Sequence, residues 1–246
     1  MVEVRNGVGA CVAALVILLG LLDARLGLGP AAWATGLGCG AVLATGVVRS
    51  ATARRVDLLG PADVVTLVRG TLACAVAALV AASYGDSSAT GALVALAAVA
   101  LALDAVDGRV ARRTGTVSAF GARLDGEADA FLMLVLSIDV ARWAGPWVLV
   151  IGGVRYAFLV AGHVWPWLRG SVPPRYWRKV VAACSGVALL VAAAQLLPPA
   201  LSCAGLAVAV VLLAESFGSE AWWLWRHRAP AAQPGERQEG WARSPG

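Results

Sequence analysis

Eight apolar runs divide this chain, and the short segments between them hold most of its charge. The runs cover roughly 7–22, 30–48, 64–82, 89–105, 120–140, 146–165, 179–196 and 199–223. Most approach the ~20 residues with which a helix spans a bilayer. The expectation is an all-α integral membrane protein with about eight transmembrane helices. Composition agrees. The 246 residues are 59% hydrophobic and 14% charged, with a mean hydropathy of +0.75, well away from a soluble domain. The first run is the shortest. Ala32-Trp33-Ala34 resembles a signal-cleavage site, but a further apolar run follows directly, which favours a retained helix.

The distribution of Lys and Arg sets an orientation. With the N-terminus in the cytoplasm, inner segments hold Arg5, then Arg49, Arg54 and Arg55, then Arg109, Arg112 and Arg113. Further along they hold Arg169, Arg175, Arg178 and Lys179, then Arg226, Arg228, Arg237 and Arg243. The outer segments hold only Arg25 and Arg142. By the positive-inside bias both termini are cytoplasmic. The same bias accounts for the net charge of +5, so no nucleic-acid partner is expected. The five cysteines all fall inside apolar runs and read as packing residues, with no disulfide framework.

Punctuation between the runs is simple. Pro61 suits a helix start, with Asp63 as a candidate N-cap. Gly85-Asp86-Ser87-Ser88 reads as an outer turn, Pro173-Pro174 as a break in an inner segment, and Pro198-Pro199 as a tight outer turn. The stretch after His227 is poor in apolar residues and reads as a disordered tail.

The chemistry concentrates between the fourth and fifth runs, in DAVDGRVARRTGTVSAFGARLDGEAD from Asp104 to Asp129. Asp104 and Asp107 are three apart and share a helix face, as do Gly121, Asp125 and Asp129, each four apart. Four carboxylates drawn together would repel one another, and buried uncompensated charge is costly. Oxygen-rich clusters of this kind suit Mg²⁺ or Mn²⁺, and two such ions would neutralise four aspartates. Gly108 allows close backbone approach to a ligand, and Arg112 supplies a fork of donors suited to phosphate. The charges stand at the inner face of the membrane, where soluble nucleotides and metals are available.

The pattern Asp104-x2-Asp107-Gly108-x2-Ala111-Arg112-x8-Gly121-x3-Asp125-x3-Asp129 resembles the signature of the CDP-alcohol phosphotransferase (CDP-alcohol phosphatidyltransferase) family. The resemblance covers about Gly60 to Trp225, which holds six runs, as the family's core does. It implies three regions: an N-terminal pair of helices in 1–58, a six-helix catalytic core in 59–228 and a tail in 229–246. It also implies that Asp104, Asp107, Asp125 and Asp129 bind two divalent metals, with Asp129 the general base for the acceptor hydroxyl. Asp63, Val64, Val65 and Thr66 match a segment that holds the CDP part of the donor, and a helix N-terminus facing cytosol suits a nucleotide. Gly108, Arg112, Ser118 and Gly121 join them as donor contacts by the same resemblance. Ser118 also suits an N-cap. The implied donor is CDP-diacylglycerol or a similar CDP-alcohol, the acceptor a small alcohol or lipid, and the working unit a homodimer.

Arginine inside a run is a functional candidate by default. Arg155 stands mid-run, and the resemblance implies that Arg155, Arg175 and Lys179 line the acceptor pocket. Arg69 and Arg123 lie within reach of the inner face and could snorkel. Glu215 is the expected hydrogen-bonding partner of Arg155, and Glu127 is left outside the site. One position departs from the family: several members carry Lys or Arg after the fourth aspartate, where this chain has Ala130. Two rival readings are a transporter and an inactive structural relative. A charge cluster at one face of the membrane argues against the first, and the intact aspartate pattern against the second.

Overall fold

All eight apolar runs are helical. The structure, a computed structural model, describes residues 2–84, 89–114, 119–165, 167 and 176–227, with the side chains of all of these except 105–114, 119 and 176. The helices are α1 (Val4–Leu26), α2 (Pro30–Arg54), α3 (Pro61–Ala82), α4 (Thr90–Thr114), α5 (Ala119–Ala144), α6 (Leu149–Val164), α7 (Tyr176–Ala193) and α8 (Pro199–Arg226). A 3-10 turn, Pro146–Val148, leads into α6. One feature was not expected from the sequence. Two short strands, β1 (Val2–Glu3) and β2 (Leu58–Leu59), pair antiparallel, with Val2 opposite Leu59. The expected turn at 85–88, the Pro173-Pro174 break and the tail from 228 onwards lie outside the described residues.

The first run is not short. It extends at both ends into a 23-residue helix, closed by Gly27, whose left-handed backbone (φ 66°) lets its N–H reach the Asp23 carbonyl. Among the described residues, five helical segments are long and apolar enough to cross a membrane. They are α1, α2, α3, the segment Pro146–Val164, and α8; Thr90–Asp104 of α4 is a shorter apolar helix. α4 and α5 carry the aspartates and arginines singled out above, and α7 opens with Arg178 and Lys179.

α3 lies at the centre, packed against α1, α2, α4 and α5. Its side chains from Ala73 to Val80 are all buried, as expected of a helix that is apolar all round. Small residues dominate it, so its neighbours approach closely. Its start is set by Gly60 at the N-cap, Pro61 in the first turn and Asp63, whose Oδ2 accepts the Gly60 N–H at 2.9 Å. Its far end is held by Arg142 of α5. That guanidinium donates to the Ser83 hydroxyl (2.5 Å) and the Ser83 carbonyl (2.8 Å), and it stacks over Tyr84.

The N-terminal pair is packed into the bundle. Leu15 and Leu19 of α1 and Ala32 of α2 share one apolar core with α3. A second cluster joins Val4, Val47 and Ala51 to Leu59, Leu67, Phe120 and Leu124 at the end of the molecule where the strands pair. α5 and α6 approach closely at Gly152. A Cβ on Gly152 would lie 2.4 Å from the Leu134 Cα, so only glycine fits there.

Candidate active site

Asp104 stands in the latter half of α4, while Asp125 and Asp129 occupy consecutive turns on one face of α5. Both helices pack on α3, and this brings the three side chains together. One carboxylate oxygen from each lies within 4.8 Å of the other two. The carboxylates are partly solvent-facing, with Asp104 at 40%, Asp125 at 39% and Asp129 at 28% exposure. An incoming ion or phosphate can therefore reach them.

Arg69 of α3 lies among them and is itself buried, at 2% exposure. Its Nη1 is 3.0 Å from Asp104 Oδ1 and 2.5 Å from Asp125 Oδ1, and its Nη2 donates to Asp129. Among the described residues, one guanidinium against three carboxylates leaves the cluster formally negative. Hard oxygen donors with residual negative charge are the ligand set that Mg²⁺ or Mn²⁺ prefers. The residues present fit a divalent metal.

Asp107, Gly108 and Arg112 lie on α4 by backbone, but their side chains lie outside the described set, as do Ser118 and Arg175 altogether. Gly121 sits half-buried in the first turn of α5. At the start of α3 the predicted N-cap shifts: the cap is Gly60, and Asp63 serves as the third helical residue that bonds back to it. Asp63 and Thr66 are buried, and the Thr66 hydroxyl donates to the Ala62 carbonyl at 3.1 Å. Val64 and Val65 are half-buried beside them.

The later helices hold two corrections. Glu215 is not the partner of Arg155; its carboxylate accepts from the Trp177 indole at 3.1 Å. Arg155 instead pairs with Glu127 at 3.2 Å, so the glutamate set aside on sequence grounds anchors a candidate acceptor residue. The guanidinium lies over Gly126, where an added Cβ would meet its Nη2 at 2.9 Å. Lys179 is exposed on α7, next to Arg178, which pairs with Glu220 of α8 at 3.3 Å.

Arg69 joins the candidate site, although in sequence it reads as a snorkelling side chain. The available signal was the one already applied to Arg155, since an arginine inside an apolar run is a functional candidate. Its aspartate partners on α5 are 56 and 60 residues away, and nothing local points to them.

A family model described as CDP-alcohol phosphatidyltransferase matches residues 59–217. No curated protein and no solved structure matches the chain. The matched stretch runs from the second strand into α8 and leaves out α1 and α2. It contains Arg69 and all four aspartates of the signature. With most of its length matched, and with three of the signature carboxylates gathered by α4 and α5 around a buried arginine, this chain belongs to the CDP-alcohol phosphatidyltransferase family of membrane transferases.

Proposed function

We propose that this protein transfers a phosphatidyl-type group from CDP-diacylglycerol, or a similar CDP-alcohol, to the hydroxyl of an alcohol and releases CMP, as a step in phospholipid synthesis. The observation that carries this reading is the meeting of Asp104, Asp125 and Asp129 within 4.8 Å of one another around Arg69 of α3. Asp104, Asp107, Asp125 and Asp129 are the residues that would hold two Mg²⁺ or Mn²⁺ ions. When bound, such ions offset the charge of the diphosphate and of CMP as it leaves.

The chain's own residues do the rest. Asp129 takes the proton from the acceptor hydroxyl. The alcohol oxygen forms a bond to the lipid-bearing phosphorus, the P–O bond to the CMP phosphate breaks, and CMP departs with that electron pair. Arg69 is a positioning residue: its two Nη atoms hold Asp104, Asp125 and Asp129 at one point. The start of α3, from Asp63 through Val64 and Val65 to Thr66, takes the CDP portion, with Gly108, Arg112, Ser118 and Gly121 as further donor contacts. Arg155, Arg175 and Lys179 are the residues that would bind the acceptor. Ala130 follows Asp129 and is buried, and Arg155 is already paired with Glu127. Both facts favour an acceptor that carries no phosphate. The arginine-rich segments favour a cytoplasmic site with both termini inside, and the homodimer rests on the family resemblance alone.

The test is the purified protein with CDP-diacylglycerol, Mg²⁺ or Mn²⁺ and a panel of alcohols, read by CMP release and product mass. CMP should appear only when a divalent ion and a suitable alcohol are both present. Undiminished turnover in excess EDTA, or no CMP with any alcohol, would refute the reading.

A further inference from the structure

A groove of about 690 Å³ opens between α2 and α5, floored by Gly70 of α3 and reaching Tyr156 of α6. That volume falls within the about 300–1,000 Å³ typical of small-molecule sites. On α2 its wall runs from Ala34 to Ser50, which at 1.5 Å per residue is about 24 Å, most of the ~30 Å hydrocarbon core. The wall is apolar and small. A Cβ on Gly38 or Gly46 would meet nothing within 4 Å, and Val42 between them is 74% exposed.

The two charged groups that line the groove, Arg123 and Glu127, both sit on α5, and they are not equally partnered. Glu127 is neutralised by Arg155. Arg123 lines the groove near Phe120, and Phe120 packs with Val47 and Ala51 at the end of the groove marked by Ser50. Arg123 is exposed and has no ion-pair partner among the described residues. The groove is thus a long apolar slot with one arginine at its charged end that has no ion-pair partner among the described residues.

We infer that this groove is a phospholipid site, with an acyl chain along α2 and an anionic headgroup phosphate at Arg123. Charge complementarity selects the headgroup, because a guanidinium makes bidentate bonds to phosphate and gains little from a zwitterion whose own ammonium competes. The apolar wall selects the chain. The α2 side of the groove lies outside residues 59–217, so this site belongs to the N-terminal addition as much as to the family core.

Native mass spectrometry of the detergent-purified protein tests this with phosphatidic acid and phosphatidylcholine of identical chains. No CDP-lipid or metal is needed, so the outcome is independent of transfer activity. The wild type should retain phosphatidic acid at least about tenfold better than phosphatidylcholine. Gly46→Phe fills open space and should remove the bound lipid while leaving Tm unchanged. Arg123→Gln should bind the two lipids equally. If Gly46→Phe fails to fold, Gly38→Leu and Arg123→Gln decide the matter. Wild-type retention in the filled variant, or equal affinity of the wild type for both lipids, would overturn the site. So would a filled variant that changes only the oligomeric mass, which would assign the groove to a second copy of the chain.

Discussion

Arg69 is the side chain on which the carboxylate cluster depends. Its guanidinium is buried, and Asp104, Asp125 and Asp129 all reach it. Removing one member of such a group leaves like charges facing one another at a cost of about 3 kcal/mol, reduced here because the carboxylates are partly solvated. Arg69→Gln should therefore lower the Tm of metal-free protein. Added Mg²⁺ should raise Tm more in the variant than in the wild type, since the ion would replace a missing positive charge. Equal Mg²⁺-induced shifts in differential scanning fluorimetry would show that Arg69 does not share the ion's place. Asp129→Asn, nearly isosteric, should abolish CMP release while the folded state survives, and wild-type turnover in that variant would remove Asp129 as the base. The aspartates were legible because their spacing is a helical repeat within one short stretch. The arginine was not, because its role depends on α3 and α5 meeting across nearly sixty residues of chain. The same limit explains the exchange of Glu215 for Glu127 as partner of Arg155. An unpaired charge inside a membrane demands a counter-charge, but composition does not say which of several carboxylates supplies it.

Helices were the most legible level, since run length alone sets where a chain can cross a bilayer. Their closeness was not legible. Gly152 and Gly153 are adjacent in sequence and alike in composition, yet a Cβ on the first would strike the α5 backbone at 2.4 Å while one on the second would meet nothing within 4 Å. Gly152→Ala should push α5 and α6 apart and destabilise the protein by about 1–3 kcal/mol. Gly153→Ala, as control, should leave the unfolding midpoint where it is. Equal behaviour of the two variants in thermal unfolding would mean that α5 and α6 are not packed as described. Because Asp125, Asp129 and the Arg155–Glu127 pair lie on or against α5, Gly152→Ala should also lower activity beyond its effect on folding.

For the molecule as a whole, the division of the chain at residue 58 describes sequence kinship better than mechanics. α1 and α2 share a core with α3, and β1 pairs with β2 across the division. A single cooperative unfolding transition is expected, and removal of residues 1–58 should abolish or sharply lower it by exposing the α3 face. Two separable transitions in the full chain would restore the picture of an independent N-terminal unit. The family signature did not disclose this joining, since it describes the shared core and is silent on what a particular member adds.

The Arg142 clamp on Ser83 carries a mechanical consequence. It fastens α3 to α5 some fourteen residues, or about 21 Å, from Arg69. α3 and α5 are thus tied by arginine at two levels, one in the third turn of α3 and one just past its end. With two such ties and a shared buried core between them, both the tilt and the register of α5 against α3 are fixed.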